Sequence, residues 1–255
     1  QDSSFAGQKS TGTASAADGN GFGDFYYTPP SGYLALCSGN QTTSTDIDPA
    51  ETDSEIGGKQ CGAVTYTGNG TTQSITGLGF KPDLVWLKER SSATSSSHKM
   101  TDSSRGVQKA IESNSSSAQS DDTNGVTAFG TDGFSVGSDG NYNENTETYV
   151  AWCWRANGGT TSTNTDGTLA STVQANQAAG FSIVTTTGNG TASTIGHGLG
   201  KAPKLIFSKQ LNSTGIWVSY HPFQDDGGGS GHAGYLHLSE NQAYSSLSTI
   251  WNNTA

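Results

Sequence analysis

Residues 65–88 read TYTGNGTTQSITGLGFKPDLVWLK, and residues 185–209 read TTTGNGTASTIGHGLGKAPKLIFSK. With one extra residue in the second stretch, Gly68-Asn69-Gly70-Thr71 matches Gly188-Asn189-Gly190-Thr191. Lys81-Pro82-Asp83-Leu84-Val85-Trp86 likewise matches Ala202-Pro203-Lys204-Leu205-Ile206-Phe207. Self-similarity of this kind marks an internal repeat, each copy a structural unit of its own. A strand (Ala63 to Thr67, or Phe181 to Thr186) runs into Gly-Asn-Gly, whose residues tolerate the positive φ of a tight turn. A second strand around Ile75 or Ile195 follows, then a Gly-rich corner and a Pro, which a sheet tolerates at a strand start or edge. The most apolar segment, Leu84 to Leu87 or Leu205 to Phe207, is predicted to be a central strand buried on both faces.

Beyond that strand the first copy runs through a polar stretch, His98 to Ser120, to Thr127-Ala128-Phe129 and Gly133-Phe134-Ser135-Val136. It closes on Tyr149-Val150-Ala151-Trp152-Cys153-Trp154. Val150, Trp152 and Trp154 share one face of this closing strand, and Tyr149, Ala151 and Cys153 share the other, which predicts a wall of the core. The second copy continues through Gly215 to His221 and Ala233 to Leu238 and ends at Trp251-Asn252-Asn253-Thr254-Ala255. Nothing in it corresponds to the last two strands of the first copy, so the second module is expected to be truncated and the native polypeptide to continue. Between the copies, Leu169, Ser171 and Val173 alternate and predict an opening strand.

Composition agrees with this plan. The 255 residues include 35 Ser, 33 Thr and 35 Gly, with 31% apolar and 13% charged residues, both below the usual share. Long amphipathic helices are therefore excluded. Disorder is disfavoured because 5 Trp, 9 Tyr and 9 Phe stand in short alternating runs. The net charge of −10, with no basic stripe, excludes a nucleic-acid partner. The longest apolar stretches are strand-sized, so no membrane insertion is expected. Cys37, Cys61 and Cys153 are too dispersed for a disulfide framework, and free buried thiols are favoured over a Cys37–Cys61 pair.

The run GDFYYTPPSGYLALC at 23–37 resembles the closing segment of concanavalin-like, SPRY-type domains in tail-associated proteins of tailed bacteriophages, many from marine and cyanobacterial hosts. There, as here, it is commonly followed by modules similar to YTGNGTTQSITGLGFKPDLVWLKERSS and DGFSVGSDGNYNENTETYVAWCW. The likeness covers residues 1–160 well and 181–221 moderately. It implies a virion component of the tail fibre or tail spike type, extracellular in the mature particle, with other virion tail proteins and host-surface polysaccharide as partners. Appendages of this type are usually trimers, which implies a homotrimer. The resemblance brings no catalytic residues with it. It divides the chain into a C-terminal stub of a lectin-like domain (1–36), an acidic linker (37–62), a first β module (63–157), a linker with an opening strand (158–180) and a truncated second β module (181–255).

Asp46, Asp48, Glu51, Asp53 and Glu55 crowd one segment, and Asp121-Asp122 form another acidic pair. A glycosidase needs paired carboxylates in an aromatic-lined cleft, and the first segment has no aromatic between Tyr33 and Tyr66. Gly229-Ser230-Gly231-His232 sets a Ser beside a His without a nucleophile elbow. His197, His221, His232 and His237 lack zinc spacing. The alternating oxygen donors Asp139, Asn141, Asn143 and Glu147 suggest a calcium loop, yet Glu144 stands where an EF-hand needs Gly and Val150 where it needs Glu. The glycan-stacking candidates are Tyr142, Trp217 with Tyr220 and His221, and Trp251. The Asn-x-Ser/Thr sequons at Asn40, Asn69, Asn114, Asn189, Asn212 and Asn252 are expected from composition alone.

The sequence therefore predicts an all-β fold of tandem β-sandwich-like modules with Gly-rich turns, the second module incomplete, and a non-enzymatic structural and adhesive role without a required cofactor. A polysaccharide-degrading hydrolase and a purely structural connector are the alternatives.

Overall fold

The computed structural model describes residues 16–23, 25, 27–35, 57–91, 96–222 and 234–246. The chain forms two compact units, 1–51 and 52–255. In the first, Ala16 and Phe25 form an antiparallel bridge. Asp18 holds the turn between them: its Oδ1 accepts the backbone N–H groups of Asn20 and Phe22, both at 2.9 Å, and its Oδ2 accepts that of Ala35 at 2.7 Å. Tyr27, Tyr33 and Leu34 are exposed on this unit. Cys37 and the acidic segment from Asp46 to Glu55 lie outside the described residues.

In the second unit the first repeat forms, in chain order, β1 (Cys61–Thr67), β2 (Gln73–Thr76), β3 (Leu84–Glu89), β4 (Lys99–Asp102), β5 (Lys109–Glu112), β6 (Ser120–Asp121), β7 (Val126–Gly130), β8 (Gly133–Val136) and β9 (Thr148–Trp154). A six-stranded antiparallel sheet runs β1-β9-β3-β4-β5-β6, and a three-stranded sheet runs β2-β8-β7. The core lies between them. Tyr149, Ala151 and Cys153 of β9 and Val85 and Leu87 of β3 meet Ile75, Phe134, Val136 and Val126 from the smaller sheet. Burial of each large apolar side chain here contributes about 1.5–3 kcal/mol. Tyr66 stacks on Tyr149 with centroids 5.0 Å apart, and its hydroxyl donates to the Tyr142 carbonyl oxygen at 2.5 Å. The chain is all-β, and this first module is a β-sandwich-like pair of antiparallel sheets.

The closing strand thus turns Tyr149, Ala151 and Cys153 to the core, and Val150, Trp152 and Trp154 lie on the outer face. The stretch from His98 to Ser120, read as polar, holds β4 and β5 and reaches the start of β6. Its charges are tolerated in strands because they cancel: Lys99 is buried, and its Nζ lies 2.8 Å from Glu112 on the neighbouring strand and 3.0 Å from Asp122.

The second repeat forms β10 (Ser162–Asn164), β11 (Ser171–Asn176), β12 (Phe181–Thr186), β13 (Ile206–Ser208), β14 (Val218–Tyr220), β15 (Gly234–His237) and β16 (Ser245–Ser246). They make two antiparallel sheets, β10-β11-β12 and β13-β14-β15-β16. The segment 158–180 holds β10 and β11, and β11 pairs antiparallel with β12. The repeated turn is the same in both copies. Asn69 Oδ1 accepts the Thr71 N–H at 2.8 Å, Asn189 Oδ1 accepts the Thr191 N–H at 3.0 Å, and the glycines that follow the two Asn residues, Gly70 and Gly190, have φ of 68° and 75°.

Two expectations for this repeat need correction. Leu205 to Phe207 is not a central, two-face-buried strand: β13 is an edge, with Leu205 54% and Phe207 40% exposed. Ile195 makes a single parallel bridge with Leu169 instead of a strand and is 44% exposed, whereas the matching Ile75 is 4% exposed. Both follow from the lack, among the described residues, of counterparts to β7, β8 and β9.

Candidate functional site

The outer face of the six-stranded sheet carries three tryptophans, Trp86, Trp152 and Trp154. Pairing between strands places Ala63, Trp152, Trp86, Met100 and Ile111 in one row across five strands. Trp154 and Leu84 stand opposite each other in the next row. Trp86 lies 6.2 Å from Trp152 and 6.4 Å from Trp154, ring centroid to centroid. The second repeat covers part of this face. Phe181 of β12 stacks on Trp154 at 6.2 Å, and Phe207 of β13 stands edge-on to Trp86 at 6.4 Å.

Trp217 covers the far end. It is buried against Met100 and Ile111, and its indole N–H donates to the Glu112 carbonyl oxygen at 2.7 Å. Trp152 remains 38% exposed beside Ala63 of β1. The Trp86 indole N–H is buried with no acceptor among the described residues. A part-exposed indole on a sheet face can stack on an apolar ligand surface or on the C–H face of a sugar. Period-2 alternation in β9 was the signal that set Trp152 and Trp154 on one face; it did not indicate which face met solvent.

A second concentration of polar groups ties the two repeats together. Asp83 is fully buried, accepting the Ser103 hydroxyl at 2.6 Å and the backbone N–H groups of Ala156 and Gly158 at 2.7 and 2.9 Å. Gln174 of β11, also fully buried, accepts the N–H groups of Asn157 and Gly159 and donates to the hydroxyls of Ser103 and Ser104. These groups are saturated by one another, so the hub is structural.

The sequence-derived candidates fall as follows. Tyr142 is not an exposed stacking residue. It is 1% exposed because its hydroxyl finds an acceptor in Asp122 Oδ2 at 2.9 Å while its ring joins the core. Trp217 is buried in the junction just described, so neither offers a free ring. Tyr220 is half-buried in β14, opposite Ile206. Trp251, Ser230 and His232 lie outside the described residues.

Three residues of the calcium reading, Asp139, Asn143 and Glu147, hold contacts within the protein through a side-chain oxygen. Asp139 caps a one-turn helix, Gly140–Asn143, its Oδ1 accepting the Asn141 backbone N–H at 2.8 Å and side-chain N–H at 3.0 Å. Asn143 is fully buried. Its Oδ1 accepts the Asn69 N–H at 2.9 Å, and its Nδ2 donates to Asn69 Oδ1, the Gly137 carbonyl oxygen and the Thr71 carbonyl oxygen. Glu147 accepts the Ser91 hydroxyl at 2.6 Å. Gly68 is needed where this loop docks, since a Cβ there would meet the Glu144 carbonyl oxygen at 2.1 Å. No group of three or more His, Cys, Asp or Glu side chains is arranged for a metal among the described residues.

The acidic pair splits. Asp121 is exposed and paired with Lys109 at 2.5 Å. Burial alone would raise the Asp122 carboxyl, but hydrogen bonds from Lys99, Ser120 and Tyr142 and the Lys99 charge outweigh it and hold it below the ordinary range. Burial would likewise lower the Lys99 ammonium, and Glu112 and Asp122 reverse this and raise it. His237 pairs with Glu240 at 3.0 Å, and His197 Nδ1 accepts the Leu199 N–H at 3.2 Å. A shallow depression lined by Thr163, Leu169, Thr172 and Thr185 has no titratable group in its wall. Cys153 is a free, buried thiol, and burial pushes it up to about 12. Cys61 is free but exposed, contrary to the buried thiol expected, because it opens the edge strand with its side chain outward.

No helix among the described residues is long and apolar enough to cross a membrane. No curated protein and no solved structure matches the chain. A protein-family model described as a domain of unknown function, DUF7483, matches residues 57–255.

Proposed function

The chain belongs to the DUF7483 family, and on that premise we propose that it is a non-enzymatic structural component of a bacteriophage virion appendage, a tail fibre or spike, that works by assembly. The likeness of residues 23–37, 66–92 and 132–154 to tail-associated phage proteins is what points to the appendage. The observation that carries assembly is the apolar surface left open on the second repeat. Ile195, Leu205, Phe207 and Leu236 are each 39–54% exposed, although the first three match buried or half-buried positions of the first repeat. Apolar area of this kind marks a contact surface, and a chain with so small a core per module gains stability from association. A homotrimer is the assembly that the resemblance implies.

Quantitative mass spectrometry and antibody-labelled electron microscopy of purified source particles test the proposal. The chain is expected on an appendage, in a copy number divisible by three. Absence from purified particles overturns the appendage role.

A second reading, adhesion to host-surface glycans, is favoured by Trp152, which is 38% exposed on the outer face of the six-stranded sheet. It predicts saturable binding to host envelope polysaccharide that falls at least tenfold in Trp152→Ala and is largely kept in Trp152→Phe. Release of reducing ends from that polysaccharide would favour a hydrolase instead.

A further inference from the structure

The two repeats share a strand order in which one place differs. In the first, the large sheet runs β1-β9-β3-β4-β5-β6. Sequence matching equates β1 with β12 and β3 with β13, and β14, β15 and β16 follow β13 in the sheet as β4, β5 and β6 follow β3. The second repeat thus reproduces the order with the place of β9 open: β12 and β13 are edge strands of separate sheets, and no strand pairs with both among the described residues.

What fills that place in the first repeat is on view. β9 pairs antiparallel with β1 on one side, from Cys61 with Trp154 to Thr67 with Thr148. On the other it pairs with β3, from Leu84 with Trp154 to Glu89 with Tyr149. It turns Tyr149, Ala151 and Cys153 inward and Val150, Trp152 and Trp154 outward. Val85 is 1% exposed and Leu84 half-buried; at the matching positions Ile206 is half-buried and Leu205, at the entry to the edge strand β13, is 54% exposed. Unpaired edges beside exposed apolar side chains are templates for strand addition.

We infer that the second repeat is a strand acceptor: β12 and β13 together bind an extended segment of β9's chemistry, with Tyr, Ala and Cys on one face and Val and two Trp on the other, antiparallel to both. The occupant is read from the repeat itself, because the same two bordering strands, in the same order, already hold such a segment once in this chain. The inference goes beyond the appendage role and does not depend on it.

The test uses the full chain and a synthetic peptide spanning Thr146–Arg155 with Cys153→Ala, which removes thiol exchange. The control peptide has the same composition with neighbouring residues exchanged, so that the two faces trade places. Fluorescence anisotropy is expected to show saturable binding, at least tenfold weaker for the control. Hydrogen exchange with bound peptide is expected to show new protection of the backbone N–H groups of 181–186 and 206–208. Equal binding of the two peptides, no saturable binding, or protection confined to β1 and β3 would each overturn the inference. So would full protection of β12 and β13 in the chain alone.

Discussion

Trp217 donates its indole N–H to the Glu112 carbonyl oxygen at 2.7 Å, so the most buried aromatic of the second repeat is fastened to a strand of the first. The bond is short, its acceptor belongs to β5, and the ring lies on Met100 and Ile111. The outer face of one sheet is thus a structural junction at one end and an open surface at Trp152.

Trp217→Ala removes a buried ring and leaves a backbone carbonyl without its donor. A loss of about 3–5 kcal/mol is expected. Trp217→Phe keeps most of the packing and forfeits the hydrogen bond, for about 1 kcal/mol. Chemical denaturation measures both. Hydrogen exchange should show that Trp217→Ala loosens β14 before β3.

Asp83 and Lys204 occupy matching places in the two repeats with opposite roles. Asp83 is fully buried and receives the N–H groups of Ala156 and Gly158, the residues that follow β9, whereas Lys204 is exposed. Asp83→Asn replaces one acceptor oxygen by an NH2 group facing donors, and a loss of about 3 kcal/mol is expected. Lys204→Ala should lie within about 0.5 kcal/mol of the parent chain. Thermal melts of the two variants under one buffer compare them directly, and equal losses would show that Asp83 does not clamp the end of β9.

Alkaline pH should unfold the second unit early. The Cys153 thiol is pushed up to about 12 by burial, and Tyr149 is also pushed up to about 12, first by burial and then by neighbouring Glu charges. Tyr66 and Tyr142 are raised as well, chiefly by burial. For each, the folded state holds its proton more tightly than the unfolded chain does. Stability is therefore complete below the unfolded value and lost as pH rises from there toward the folded one. Cys153 titrates first, since a free thiol has an ordinary value of about 8.5, and it alone costs about 1.4 kcal/mol per pH unit above that. Urea midpoints should fall from about pH 8.5 upward. In Cys153→Ala they should stay flat to about pH 10, where unfolded tyrosines begin to ionise.

Much of this architecture was legible because the residues concerned act locally. Gly-Asn-Gly specifies its turn through positive φ at Gly70 and Gly190 and through side-chain bonds two residues long. Strict alternation in β9 sorted its six closing residues onto two faces. What escaped depends on partners distant in sequence. Lys99 is tolerated in a strand because Glu112 and Asp122 reach it, and Tyr142 is tolerated in the core because Asp122, twenty residues earlier, accepts its hydroxyl. Composition marks both as surface residues, and only the fold brings their partners. The exposure of Trp152 was hidden for the same reason. The small sheet packs on the Ala151 side of β9, a choice made by Phe134, Val136 and Ile75 from other strands.

Asn143 gives the sharpest test of whether the Asn-rich loop is a structural lock. Its amide oxygen accepts one N–H and its two amide hydrogens are shared among three acceptor oxygens, joining the helical turn to the first Gly-Asn-Gly turn. Asn143→Asp is nearly isosteric, but a carboxylate there faces three oxygens with no hydrogen to offer. At neutral pH it should cost more than Asn143→Ala, which leaves the same groups unpaired without a buried charge, for about 2–4 kcal/mol. A protonated Asp regains one donor. The folded-state proton affinity of the new carboxyl is therefore raised, so its stability is present at low pH and falls as pH rises through the folded value. Asn143→Asp should gain stability from pH 7 to pH 5 relative to the parent chain, and Asn143→Ala should not. Parallel pH dependence of the two variants in urea denaturation would show that the amide's donors are not what the loop requires, and a calcium-dependent rescue of Asn143→Asp would return the loop to metal binding.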